Sequence, residues 1–167
     1  MAGIATHTDR SARDIEPMSP GRAVVAMTRP SQVVLIWVIY AAGVLLGLTR
    51  AGVAFDPWAV ALVAALITGA AVAAHLVNEA EDATTDRLSE RTPFSGGSGA
   101  LEASDLDPSV PRRLGLGLAV SVVALSWAAW WVVPLPAAVA TLVTAGLLGA
   151  VAYSCLLYTS PSPRDLN

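Results

Sequence analysis

No lysine occurs in this chain, cysteine appears once, and only 14% of the residues are charged. Soluble domains carry about a quarter charged residues, so an ordinary soluble domain is excluded. A single cysteine leaves cysteine spacing with nothing to say. All the basic residues are arginine, which reflects a GC-rich coding sequence rather than a functional choice. Four long runs, 32–49, 57–77, 114–133 and 135–153, contain no Asp, Glu, Lys or Arg. His75, Tyr40 and Tyr153 are the ionisable side chains inside them. A secretory signal is also missing: the first apolar run starts near Val33, is too long, and has no small-residue cleavage site after it. No internal repeat of propeller or solenoid type is visible.

What is there is hydrophobic: 54% of the chain, with a mean hydropathy of +0.59. The four runs reach or approach the ~20 residues that span a bilayer. The expected fold is therefore an all-α polytopic membrane protein with four transmembrane helices at about 32–49, 57–77, 114–133 and 135–153. Residues 1–30, rich in Ser, Thr, Pro and Gly with little periodicity, read as a disordered tail. Between Asn78 and Arg113 lie eight acids and four arginines, and residues 1–30 carry Arg10, Arg13, Arg22 and Arg29. The connection between the third and fourth runs has no charge, and that between the first and second has Arg50 and Asp56. Counting arginines in short flanks puts the N-terminus and the 78–113 loop in the cytosol of an integral, multi-pass cell-membrane protein. Trp127, Trp130 and Trp131, with Trp58, then fall on the outer side as an interfacial aromatic belt. Gly43-x-x-x-Gly47 and the spacing of Ala65, Gly69 and Ala73 let helices approach closely, and packing is the preferred role for both. Pro134 and Pro136 bracket a tight turn, making the last two helices an antiparallel hairpin.

The second run ends in Asn78-Glu79-Ala80-Glu81-Asp82-Ala83-Thr84-Thr85-Asp86. Burying such carboxylates costs several kcal/mol unless a cation or partner compensates. On a helix at ~100° per residue, Asn78, Glu79, Asp82 and Asp86 share an arc of roughly 100°. Oxygen ligands converging on one spot suit a hard divalent cation such as Mg²⁺. His75 falls within the same arc one turn earlier. A functional role for it and a neutral histidine bonded to another helix both stay open, with the second preferred. Glu81 points away from this face, toward solvent or an arginine.

Arg87 and Arg91 follow, then a Pro and a Gly/Ser stretch through Gly99. Glycine-rich backbone offers N–H groups to anions, and arginine clamps phosphate bidentately. A flexible linker accounts for the Gly/Ser stretch equally well. Beside the acids the phosphate reading gains weight, because a metal-diphosphate needs acids for the cation and bases for the spare charge.

Asn78-Glu79-x-x-Asp82-x-x-x-Asp86 at the end of the second helix resembles the first aspartate-rich motif, N-D-x-x-D-x-x-x-D, of the UbiA superfamily of intramembrane prenyltransferases. Arg91-Thr92-Pro93 resembles the basic residue before proline that follows it there, and Tyr153-Ser154 the start of a later Tyr-Ser/Thr-x-Pro-Pro stretch. The resemblance covers residues 30–154, a truncated transmembrane prenyltransferase domain over 31–154. It implies a bundle of nine helices, of which four are here, and Mg²⁺-dependent transfer of a prenyl group from a polyprenyl diphosphate to an acceptor, commonly aromatic. It implies Asp82 and Asp86 as catalytic residues and Glu79, Asp82 and Asp86 as metal ligands. Asn78, Arg87 and Arg91 would bind the diphosphate, with His75 a further candidate. The partners implied are the lipid bilayer and these small molecules, with no nucleic acid. There are two departures: Glu79 stands where the pattern has Asp, and no second aspartate-rich motif occurs in the sequence.

Residues 155–165 resemble translated sequencing-adapter DNA, so 155–167 read as an artefact and the chain as an N-terminal fragment that is itself inactive. Among rivals, the CDP-alcohol phosphotransferases need D-G-x-x-A-R, and Asp82-Ala83-Thr84-Thr85 lacks its Gly. A non-enzymatic multi-helix scaffold or transporter fragment is the alternative, but acids at a helix C-terminus oppose the macrodipole.

Overall fold

The computed structural model describes residues 18–52, 54–86, 98–133 and 135–159, the side chains of 84–86 and 155–159 excepted. The helices are α1 (Pro20–Met27), α2 (Pro30–Arg50), α3 (Pro57–Asp86), α4 (Ser109–Val132) and α5 (Ala137–Thr159). No strand occurs among the described residues. Four stretches are long and apolar enough to cross a membrane: Pro20–Arg50, Pro57–Ala83, Ser109–Val132 and Ala137–Ser154. The all-helical, membrane-spanning expectation holds.

Local chemistry sets the boundaries. Arg29 adopts a left-handed conformation at φ 50°, which stops α1, and Pro30 then opens α2 at a position where its missing N–H is not needed. At α3, Asp56 Oδ1 accepts hydrogen bonds from the amides of Trp58 (2.9 Å) and Ala59 (3.2 Å), with Pro57 between. At α4, Asp107 Oδ1 accepts the Ser109 amide at 2.7 Å. α4 thus starts ahead of the apolar run and carries Arg112 and Arg113 on its first turns. Hydropathy marks where the bilayer begins, not where the helix does.

The two hydrogen bonds from Ser109 hold the Asp107 carboxyl below its ordinary 3.8. A depressed carboxylate pKa contributes stability fully above the ordinary value, and the contribution fades as pH falls through the depressed one. The Ser109 amide resonance should therefore shift as pH drops below about 4, and Asp107→Asn should abolish that titration. An unchanged Ser109 shift in the parent would contradict the cap.

α3 is the hub and contacts each of the other four helices. Leu66 and Ala73 of α3, Val122 of α4 and Leu147 of α5 form one buried cluster. Gly69 and Gly115 permit the α3–α4 approach. A Cβ on Gly115 would lie 2.9 Å from the Ala73 carbonyl oxygen, and one on Gly69 2.7 Å from Val122 Cγ2. The small-residue spacing on α3 is thus used at Gly69 and Ala73, whereas Ala65 is exposed. Among the described residues, a Cβ on Gly43 or Gly47 of α2 would meet nothing within 4 Å. α2 buries no residue and reaches α3 through Trp37 Nε1 to Thr68 Oγ1 (2.8 Å) and Tyr40 OH to the Val60 carbonyl (2.8 Å).

A second cluster joins Ala23 and Met27 of α1 to Leu76, Ala100 and Leu101. The expectation of a disordered tail through residue 30 is corrected here over 18–29. The apolar face of α1 is too short to signal by periodicity, and its partners among the described residues come from α3 and the segment 98–106. Residues 1–17 lie outside the described residues, as do Pro134 and the adapter-like stretch beyond Thr159.

At the opposite end Trp127 and Trp130 meet edge to face at 5.7 Å, and Trp130 and Trp131 lie 5.1 Å apart. Trp127 Nε1 donates to Thr144 Oγ1 of α5 at 3.1 Å, closing the α4–α5 hairpin. Trp58 and Trp131, 83% and 79% exposed, suit an interface where an apolar ring has a wet edge.

Candidate functional site

α3 continues helical past its apolar run to Asp86, so the acidic motif keeps the phase of the membrane segment. Contacts from α1, Arg29 at the α1–α2 joint, α4, α5 and the turn at 98–104 collect around it. Asn78 bridges two of these elements. Its Nδ2 donates to Asp82 Oδ2 one turn on, and its Oδ1 accepts from Ser154 Oγ of α5 at 3.2 Å. Ser154 is buried, and its single hydroxyl proton is shared between Asn78 Oδ1 and the Ala150 carbonyl oxygen, 3.1 Å away. An amide with its donor and acceptor both engaged is fixed in orientation, which in turn orients the Asp82 carboxylate.

Glu79 belongs to a different set. Its Oε1 accepts from Ser98 Oγ at 2.6 Å, and its Oε2 accepts from the Ser98 amide at 3.0 Å and Arg29 Nη2 at 3.4 Å. At 3% exposure, an uncompensated carboxylate here would cost several kcal/mol, and three donors with one positive charge offset that cost. Glu81 points away from both sets, as its phase predicts, and pairs with Arg112 Nε at 3.2 Å.

His75 lies one turn before Asn78 and Glu79, within electrostatic reach of Arg29 and Glu79. Its Nε2 and Arg29 Nε are buried and, among the described residues, without a hydrogen-bond partner. The side chain of Asp86 and the whole of Arg87 and Arg91 lie outside the described residues. The structure thus brings Asn78 to Asp82 and His75 toward Glu79, while Glu79 turns to Ser98 and Arg29. Sequence reasoning missed Arg29, Ser98 and Ser154 as members of this end. An arginine directly before the proline that opens a membrane helix is the signal that singles out Arg29; Ser154 is marked by the Tyr153-Ser154 resemblance without a link to Asn78, and for Ser98 no signal stands out.

A Mg²⁺ ion commonly takes one or two protein carboxylates and completes its octahedron with water and phosphate oxygens. Asp82 and Asp86, four residues apart on one helix, fit that requirement by spacing. Glu79 does not, because its oxygens are buried against protein donors. Among the described residues no group of three His, Cys, Asp or Glu side chains is close enough to hold a metal.

Beneath this rim lies an apolar groove of about 360 Å³ between α3 and α5. Ile67, Ala70 and Ala74 line one wall, and Val143, Leu147 and Ala150 the other. Ala74 and Ala150 each stand one helical turn from a polar rim residue, Asn78 and Ser154 respectively. Small side chains leave the groove open, and its size falls within the ~300–1,000 Å³ range of ligand pockets.

Compared with protein-family models, with curated proteins and with solved structures, the chain matches none.

Proposed function

We propose that the chain is part of a UbiA-type intramembrane prenyltransferase, which transfers a prenyl group from a polyprenyl diphosphate to a small, commonly aromatic acceptor. The observation that supports this reading is that Ala74 and Ala150, which line the α3–α5 groove, stand one helical turn from the hydrogen-bonded pair Asn78 and Ser154. An amphiphile with an apolar chain and a charged head needs both in that order. A bundle serving only as a scaffold has no use for acids on the helix face that continues an apolar groove toward the membrane rim.

In this reading Asp82 and Asp86 hold the cation, Asn78 sets the Asp82 rotamer, and Arg87 and Arg91 supply positive charge for the phosphates. The cation, when bound, neutralises charge on the departing diphosphate. The allylic C–O bond breaks with its electron pair leaving on the diphosphate. The acceptor then supplies the pair for the new bond and gives up a proton. The groove keeps water from the prenyl carbon while the bond is open. The arginine count in the flanks puts this rim on the cytosolic face.

The test is binding of farnesyl diphosphate to the chain in lipid nanodiscs, titrated with Mg²⁺. The parent should bind in a Mg²⁺-dependent manner, and Asp82→Asn should weaken binding about tenfold or more, the loss of one charge-assisted contact. Turnover is not expected, because the resemblance requires a second aspartate-rich motif that the sequence lacks. Binding indifferent to Mg²⁺ and to Asp82→Asn would leave the scaffold alternative standing.

A further inference from the structure

Glu79 is one acid of the motif, and the fold surrounds it differently from Asp82. We propose that Glu79 is a positioning residue that ties the 98–104 turn and the α1–α2 joint to α3, and that it stands outside the cation's ligands. Its exclusion from the ligand set rests on the function proposed above; the tie itself does not.

The contacts form a continuous chain. The Ala100 amide donates to Ser98 Oγ at 3.1 Å, and that hydroxyl donates onward to Glu79 Oε1 at 2.6 Å. The Ser98 amide donates to Oε2 at 3.0 Å, and Arg29 reaches the same oxygen from the joint between α1 and α2. Beyond Ser98, Gly99 takes φ +72°, the Ala103 amide bonds the Gly99 carbonyl at 3.0 Å, and Ser104 Oγ bonds the Ala100 carbonyl at 2.7 Å. The Met18 amide then bonds the Ala103 carbonyl at 2.7 Å, returning the turn to the start of α1. One carboxylate therefore sits where the α1–α2 joint, α3 and the turn meet.

Side-chain length decides which role Glu79 can serve. Its oxygens have about four lone-pair sites, and three take protein donors. At 3% exposure the carboxylate has no room for a hydrated cation. An aspartate here would be shorter by one methylene, about 1.5 Å, and would fall out of reach of Ser98 and Arg29. The glutamate is the length the tie requires.

Hydrogen–deuterium exchange of the chain in lipid nanodiscs, without ligand, tests the tie. Ser98→Ala and Glu79→Asp should each speed exchange of the 98–104 amides about tenfold, the scale of one or two lost hydrogen bonds. The double variant should exchange no faster than the quicker single one, because both cut the same link. Glu79→Gln keeps the length and accepts the Ser98 amide, so it should remain nearer the parent. In Mg²⁺ titrations with farnesyl diphosphate, Ser98→Ala and Glu79→Gln should leave the Mg²⁺ midpoint within about twofold, or about 0.4 kcal/mol, while Asp82→Asn raises it. Parent-like exchange in Glu79→Asp would overturn the tie, and a raised Mg²⁺ midpoint in Glu79→Gln would return Glu79 to the ligand set. If no variant and not even the parent binds with Mg²⁺, the function proposed above fails, and the exchange data still decide the tie.

Discussion

Gly115→Leu is expected to lower the unfolding free energy by about 3 kcal/mol. A Cβ at this position lies 2.9 Å from the Ala73 carbonyl oxygen, 2.9 Å from Val77 Cγ2 and 3.0 Å from the Val77 amide nitrogen. Two of these atoms are backbone of α3, so no rotamer change relieves the overlap, and α3 and α4 must move apart. That separation pulls Val122 from Leu66 and Ala73, and it disturbs α5 through Leu147. Gly69→Ala should cost less, under about 1.5 kcal/mol, because the Val122 methyl that it meets belongs to a side chain. Gly43→Ala and Gly47→Ala meet nothing within 4 Å and should stabilise α2 by about 0.5–1 kcal/mol each through helix propensity. Unfolding by SDS in mixed micelles, followed by tryptophan fluorescence, ranks the set. A Gly115→Leu protein as stable as the parent would show that α3 and α4 do not cross here.

Arg29→Met should destabilise the protein by about 2 kcal/mol. Removing one partner of a buried ion pair leaves the other charge uncompensated, at about 3–5 kcal/mol for a fully buried pair. Arg29 is 20% exposed and its contact with Glu79 is 3.4 Å, so solvent reduces the loss. Methionine keeps the apolar stem of the arginine, which separates lost charge from lost packing. Arg29→Met with Glu79→Gln should recover most of the stability, since no bare carboxylate is then left and glutamine still accepts the Ser98 amide. Equal instability of the single and double variants, in the same unfolding measurement, would mean that packing at the α1–α2 joint matters and the ion pair does not.

Both effects lie in contacts that a linear reading reaches poorly. The acidic arc on α3 was legible because helical phase is local: Asn78 does meet Asp82 one turn away, and Glu81 does face elsewhere. The same phase put Glu79 among the ligands, since a helical wheel records direction and not depth. What buries Glu79 comes from Ser98, 19 residues on, and Arg29, 50 residues back. Ser154, 76 residues from Asn78, joins the rim only because α5 returns along α3. In the sequence α1 reads as tail because eight residues carry too little periodicity, and its apolar face gains meaning against Leu76 and Leu101.

By itself the sequence determined the four apolar spans, their all-helical character and the angular placement of the acids on α3. Each of these follows from hydropathy and a 3.6-residue period, which act within a few turns. Tertiary structure alone decided that Gly69 and Gly115 rather than Gly43 and Gly47 admit a neighbouring helix, and that α1 is part of the fold. It also decided that Glu79 is held by Ser98 and Arg29 while Asp82, one turn on, is met by Asn78 of its own helix. The physical reason is common to all three: close packing and the satisfaction of a buried charge depend on atoms brought together by the return of the chain, and no local pattern records which atoms those are.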